Sequence, residues 1–139
     1  MKTFAILASL AATALAQNVF VNLPEGNELP AGGEVTIQVS RPNSLTGSRE
    51  IGIAIGIQSC PTNGCLPSTS VLGVELYTGL FQPDYHGTGG AGVPYENFTV
   101  TIPEDTVEGQ AVVGVAHASL VGAANWPFFE VVNTTATVV

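Results

Sequence analysis

The sequence predicts an all-β fold, a small immunoglobulin-like β-sandwich of about seven strands. Two observations carry this. Short runs alternate apolar and polar residues with the period of a half-buried strand, as in Val35-Thr36-Ile37-Gln38-Val39 and Phe98-Thr99-Val100-Thr101-Ile102. Turn-forming clusters separate these runs, and helical spacing is nearly absent beyond residue 17. Composition agrees. Of 139 residues, 45% are hydrophobic and 10% charged, too apolar for a disordered acidic chain and the right length for one domain. With 11 Asp+Glu against 3 Lys+Arg, the formal charge is −8, which leaves no basic footprint for a nucleic acid.

The first element is a targeting signal, residues 1–16. Met1-Lys2 is a basic n-region, Phe4 to Leu15 an apolar h-region, and Ala14-Leu15-Ala16 the small-x-small pattern of signal peptidase. Cleavage between Ala16 and Gln17 is expected, giving a secreted, extracellular domain of residues 17–139. An apolar run of about 12 residues is too short to span a bilayer, so no membrane anchor is expected. In the mature chain Arg41 and Arg49 stand against all 11 acids, a net charge of −9.

Seven strands follow in order: Val19 to Leu23, Val35 to Val39, Ile51 to Ile57, Val71 to Tyr77, Phe98 to Ile102, Ala111 to Leu120, and Phe128 to Val139. Pro24-Glu25-Gly26-Asn27, Pro30-Ala31-Gly32-Gly33, Pro42-Asn43-Ser44, Pro103-Glu104-Asp105 and Val107-Glu108-Gly109 punctuate them. In the third strand four isoleucines (51, 53, 55, 57) share one face and Gly52, Ala54 and Gly56 the other. The isoleucine face is core. The bare face is expected to receive a large side chain, Trp126 or a tyrosine, in preference to a ligand. In the last strand the phase turns Thr135 and Thr137 outward and Val138 inward. It also turns Glu130 inward, so a bulge or strand start is expected near Val131.

Secretion is an oxidising route, so Cys60 and Cys65, the only cysteines, are expected to form one disulfide clamping a hairpin tip at Asn63-Gly64. Asn97-Phe98-Thr99 and Asn133-Thr134-Thr135 are glycosylation sequons on outward-facing strand positions.

Catalytic patterns are thin. His86 is read as a loop residue and His117 as a satisfied sandwich residue; the two are far apart, without acids at metal-ligand spacing, so no metal and no cofactor are expected. Gly87-Thr88-Gly89-Gly90-Ala91-Gly92 matches G-x-G-x-x-G, but no helix follows to present N–H groups to a phosphate. A mature N-terminal Gln17 also excludes the copper oxidases that need histidine there. No enzyme is expected. Binding surface remains: Tyr77, Phe81, Tyr85 and Tyr95 in a Gly-rich setting, and Trp126, are the candidate partner contacts.

The Gly52-Ile53-Ala54-Ile55-Gly56 strand, Leu76-Tyr77-Thr78-Gly79, Phe98 to Pro103, Leu120-Val121-Gly122-Ala123 and the closing Asn133-Thr134-Thr135 with Thr137-Val138 resemble the fungal necrosis-inducing secreted protein family. The resemblance implies a non-enzymatic effector that binds plant immune receptor-associated kinases, suppresses pattern-triggered immunity and causes cell death when overproduced. It leaves two sites of action open, outside the plant cell or inside after translocation. The competing class is a cell-wall module whose partner is a polysaccharide or a protein.

Overall fold

Val35, Ile37 and Val39 alternate with Glu34, Thr36, Gln38 and Ser40, and the structure buries the first set and leaves the second toward solvent. The same two-residue period shapes the rest of the chain. A computed structural model describes residues 18–60 and 62–139; the expected signal segment 1–16 and the expected cleavage site at Ala16–Gln17 lie outside the described residues.

Eight strands are present among the described residues: β1 (Phe20–Asn22), β2 (Glu28–Leu29), β3 (Glu34–Ser40), β4 (Ser48–Ser59), β5 (Val74–Gly79), β6 (Tyr95–Thr101), β7 (Gly109–Val121) and β8 (Trp126–Val138). They form a three-stranded sheet, β1-β3-β6, and a five-stranded sheet, β2-β8-β7-β4-β5. Each expected strand falls on one of these. The addition is β2, two residues running parallel to the end of β8 and too short to show a period. The fold is an all-β sandwich. Val35, Ile37, Val39, Phe98 and Val100 of the small sheet meet Ile53, Ile55, Ile57, Val113 and Val115 of the large one, and Leu29 and Ile102 close the core. Burial of each such side chain is worth about 1.5–3 kcal/mol.

The β4–β5 connection departs from expectation. Cys60 and Cys65 are bonded, with Cα atoms 4.8 Å apart, yet they do not clamp a hairpin tip. They tighten the start of a long excursion, described over residues 62–73, that crosses the outer face of the large sheet. Gln58 holds it there: its Oε1 accepts from Leu66 N at 2.8 Å and its Nε2 donates to Leu66 O at 3.2 Å and Val71 O at 3.3 Å. Leu72 and Ser68 then cover Gly56 and Gly114. This is why β5 starts at Val74 rather than Val71.

Half of the bare Gly/Ala face is thus covered by Leu72, not by Trp126, which is 66% exposed at the far end of β8. The other half stays open as a shallow groove of Gly52, Ala54, Ala116 and Ala118 beside Phe129, itself 68% exposed.

The close approach also dictates Gly73. Its φ is +89°, and a Cβ there would lie 2.0 Å from the Ile57 carbonyl oxygen. Gly73→Ala is expected to lower the unfolding free energy by about 3 kcal/mol, at the upper end for a strained backbone position. Gly64→Ala, where φ is +76° and nothing lies near, should lose about 1 kcal/mol. Urea denaturation of the two variants measures the difference, and equal losses would refute the packing argument.

Candidate functional site

Glu50, His117, Ser119 and Glu130 are polar residues in the inward phase of strands whose inner faces are mostly apolar. A bulge brings Glu50 in. The β4–β7 register pairs Glu50 with Ser119 and then Gly52 with Ala118, skipping Ile51. The extra residue reverses the local phase of β4 and re-aims its side chains. Ile51 is thereby 52% exposed, which corrects the expectation of four core isoleucines; the other three are buried. β8, by contrast, runs through Val131 with no register shift, so the bulge expected there is absent. Glu130 faces inward because it has a partner, and directly opposite it stands His117.

His117 has no exposed surface, and both ring nitrogens are engaged. Nδ1 lies 2.9 Å from Glu130 Oε1, and Nε2 bonds Glu50 Oε2. Glu130 Oε1 also accepts from Val19 N at 2.9 Å, which ties the start of the described chain to β8. Glu50 Oε1 lies 2.6 Å from Arg41 Nε and accepts from Ser48 Oγ at 2.9 Å. Arg41 completes its own set with Nη1 donating to Pro42 O at 2.9 Å and Nη2 to Ser48 Oγ. Phe81 closes the group from the loop above, its ring edge-on to the imidazole with centroids 5.5 Å apart.

The charges decide the protonation. Burial disfavours the imidazolium, but its hydrogen bonds to Glu130 and Glu50 and their negative charge outweigh it and hold His117 above its ordinary value. Burial likewise disfavours ionised Glu50. The hydrogen bond and charge of His117, the Ser48 hydroxyl and Arg41 outweigh it and hold the carboxyl below its ordinary value. With His117 protonated, two cations face two carboxylates and the cluster is neutral.

Above it lies a cleft of about 420 Å³ at the end of the sandwich where the 41–47 and 80–94 loops meet. Arg41, Ser48 and Glu50 of the cluster line it together with Asn43, Asp84 and Tyr85 of the loops. The Tyr85 hydroxyl bonds the Asn43 amide, and Asp84 and Tyr95 exchange backbone bonds of 3.1 and 3.0 Å that fasten the loop to β6. Among the described residues no group of three or more His, Cys, Asp or Glu could hold a metal ion.

The family model that matches this chain is that of the Nis1 family, over residues 14–137. The chain belongs to the Nis1 family. That is a family of fungal effector type. No curated protein matches the chain.

The five aromatic candidates of this Nis1-family chain do not form one surface. Tyr85 lines the cleft, half-buried. Tyr95 lies on the outer face of the small sheet, stacked on His86 with centroids 4.0 Å apart. Tyr77 packs on Phe98 at 4.6 Å and donates its hydroxyl to Leu80 O at 2.9 Å, so it is a border of the core. Phe81 is 3% exposed and belongs to the core, which removes it as a partner contact. Trp126 is exposed at the start of β8, two strands from Ser48, and does not line the cleft. His86 is an exposed loop residue, and Asn97 and Asn133 are exposed strand residues. Arg41, Glu50 and Glu130 are not legible as a unit in the sequence. One signal of it was present: two ionisable residues, His117 and Glu130, each in inward phase on an apolar strand.

The pH dependence follows from the two shifts. Glu50, lowered from 4.5, adds stability that is present above that value and lost as pH falls through its folded value. His117, raised from 6.5, adds stability that is present below that value and lost as pH rises through its folded value. The melting temperature should therefore peak between 4.5 and 6.5 and fall on both sides. His117→Gln should flatten the alkaline side, as followed by thermal denaturation across pH. An unchanged alkaline limb in that variant would refute the assignment. His117→Ala leaves two buried carboxylates facing each other without their imidazolium and should cost about 3–5 kcal/mol in urea denaturation.

Proposed function

We propose that this Nis1-family chain is a secreted effector that binds plant immune receptor-associated kinases and suppresses pattern-triggered immunity, with cell death when overproduced. Membership of the Nis1 family over residues 14–137 carries this reading. The protein acts by occupying its partner, without turnover and without a cofactor.

Two features of the surface support it. Arg41, Glu50 and Glu130 are consumed in the buried cluster, which leaves Arg49 as the exposed arginine among the described residues, against the remaining acids. Such a field speeds encounter with basic surfaces and repels acidic ones. The cleft then offers an aromatic anchor, Tyr85, on walls that a hydrogen bond and a β-bridge hold in place. A half-buried aromatic on a fixed loop loses little entropy on binding, which is the property of an interface hot spot.

Binding to purified kinase domains, with folding checked by thermal denaturation, tests the reading. Tyr85→Ala should weaken binding by about 2 kcal/mol, roughly thirtyfold, at a melting temperature near that of the parent. His86→Ala should leave immune suppression intact, and raised salt should slow association. Retention on chitin, β-glucan or cellulose with none on kinase domains would replace the effector reading with that of a cell-wall module.

A further inference from the structure

We propose that Asn97 and Asn133 carry N-linked glycans that guard the two long open strand edges of this sandwich against pairing with a second copy of the chain. Among the described residues neither sheet closes on itself, so each presents two rows of backbone groups able to pair with another strand.

Three edge strands are protected by other means. β1 is 3 residues long and β2 is 2, too short to template a partner. β5 is 6 residues long, carries exposed Glu75, and is broken by a bulge where Gly56 pairs with Glu75 and Leu76 is skipped. The remaining edges are long. β6 has 7 residues, and β8 has 13; β2 pairs with Thr137 and Val138, β1 and the 25–27 turn lie near β8 without pairing, and no other strand among the described residues pairs with that side.

Phase shows which residues present their backbone at those edges, because N–H and C=O of one strand residue point to the same side and alternate along the strand. Tyr95 exchanges bonds with Asp84 on the side of β6 away from β3. Asn97, Thr99 and Thr101 share that phase, so their N–H and C=O groups look outward from the sheet. At the end of β8, Val139 bonds Leu29 O and Ala31 N, each at 3.0 Å, on the side away from β7. Asn133 and Thr135 share that phase, as do Phe129 and Val131. Pro127 shares it too and offers no N–H there. Each sequon therefore sits on its open edge, with its Asn and its Thr both among the outward-looking residues.

Composition explains the device. Exposed lysines commonly blunt sheet edges, and this chain has only 3 Lys+Arg in all. A glycan does the same work by bulk and hydration. At Asn97 the amide is already turned for it. Asn22 Nδ2 donates to Gln38 Oε1 at 3.3 Å, and Gln38 Nε2 donates to Asn97 Oδ1 at 3.2 Å. Oδ1 is held toward the sheet, and Nδ2, the atom that would carry the sugar, points away from Gln38. Attachment needs a polyisoprenoid-diphosphate oligosaccharide from the secretory pathway. Asn Nδ2 bonds to the sugar C1 and loses one proton to the transferase, while the C1–O bond breaks and the diphosphate leaves with the electron pair.

The test uses the full chain secreted from a glycosylating eukaryotic host. Intact mass spectrometry should show a glycan on each asparagine, and sedimentation velocity should show a monomer. Asn97→Gln/Asn133→Gln should self-associate, raising the weight-average mass about twofold or more over the same concentrations. Thr99→Ala/Thr135→Ala, which removes both acceptor sequences and keeps both asparagines, should do the same. Folded parent protein trimmed by an endoglycosidase covers the case in which a variant misfolds, and it too should associate. In the associated form the Thr99 and Thr135 amides should gain protection from hydrogen exchange. Bare asparagines in the secreted protein overturn the proposal, as does a trimmed or doubly substituted protein that stays monomeric.

Discussion

His117, buried between Glu50 on β4 and Glu130 on β8, is the constraint that the rest of the sandwich serves. An imidazole without solvent contact needs partners for both nitrogens, and each partner imposes a distortion or an anchor. Glu50 reaches it only through the bulge at Ile51, which gives up the burial of an isoleucine. Placing that carboxylate inside calls for a second cation, supplied by Arg41 where the chain leaves β3. Glu130 adds the link to Val19 and so fixes the entry of the chain beside β8. One buried ring thus joins β4, β7 and β8 of the large sheet to the chain flanking β1 and β3 of the small one.

The same cluster shapes what a partner meets. The Phe81 ring closes the cluster from the 80–94 loop, and that loop carries Tyr85 over the cleft. Because Arg41 is spent on Glu50, the exposed surface keeps its acids with little compensation. Stability and surface charge are therefore coupled through one arginine. Breaking a buried pair costs more than the pair contributes relative to apolar packing, which makes the cluster better suited to holding one arrangement of strands than to adding stability.

How the open faces are used depends on neighbours far apart in the chain. Gly52, Ala54, Gly56, Gly114, Ala116 and Ala118 form one bare patch only because β4 and β7 pair in this register. Leu72 covers one half and Phe129 borders the other. Nothing local to the Gly-Ile-Ala-Ile-Gly strand says which large residue would come to it. The choice was made by the route of residues 62–73, which the Cys60–Cys65 bond and the hydrogen bonds of the Gln58 side chain hold in place.

Alone, the sequence determined the all-β sandwich, the seven longer strands, the Cys60–Cys65 bond and the exposure of Asn97 and Asn133. Each of these depends on a two-residue period or on a spacing of a few residues, and such local rules are written along the chain. Family membership was legible in the same way, as short motifs spread over most of its length. Only the tertiary structure decided that Phe81 is core, that Trp126 is exposed, that Ile51 is expelled, and that Arg41, Glu50, His117 and Glu130 form one cluster. Glu50 and His117 are far apart in the chain and meet through a bulge that no local pattern marks. Residue periodicity assigns a side chain to a face; strand register and a one-residue bulge decide what it meets there.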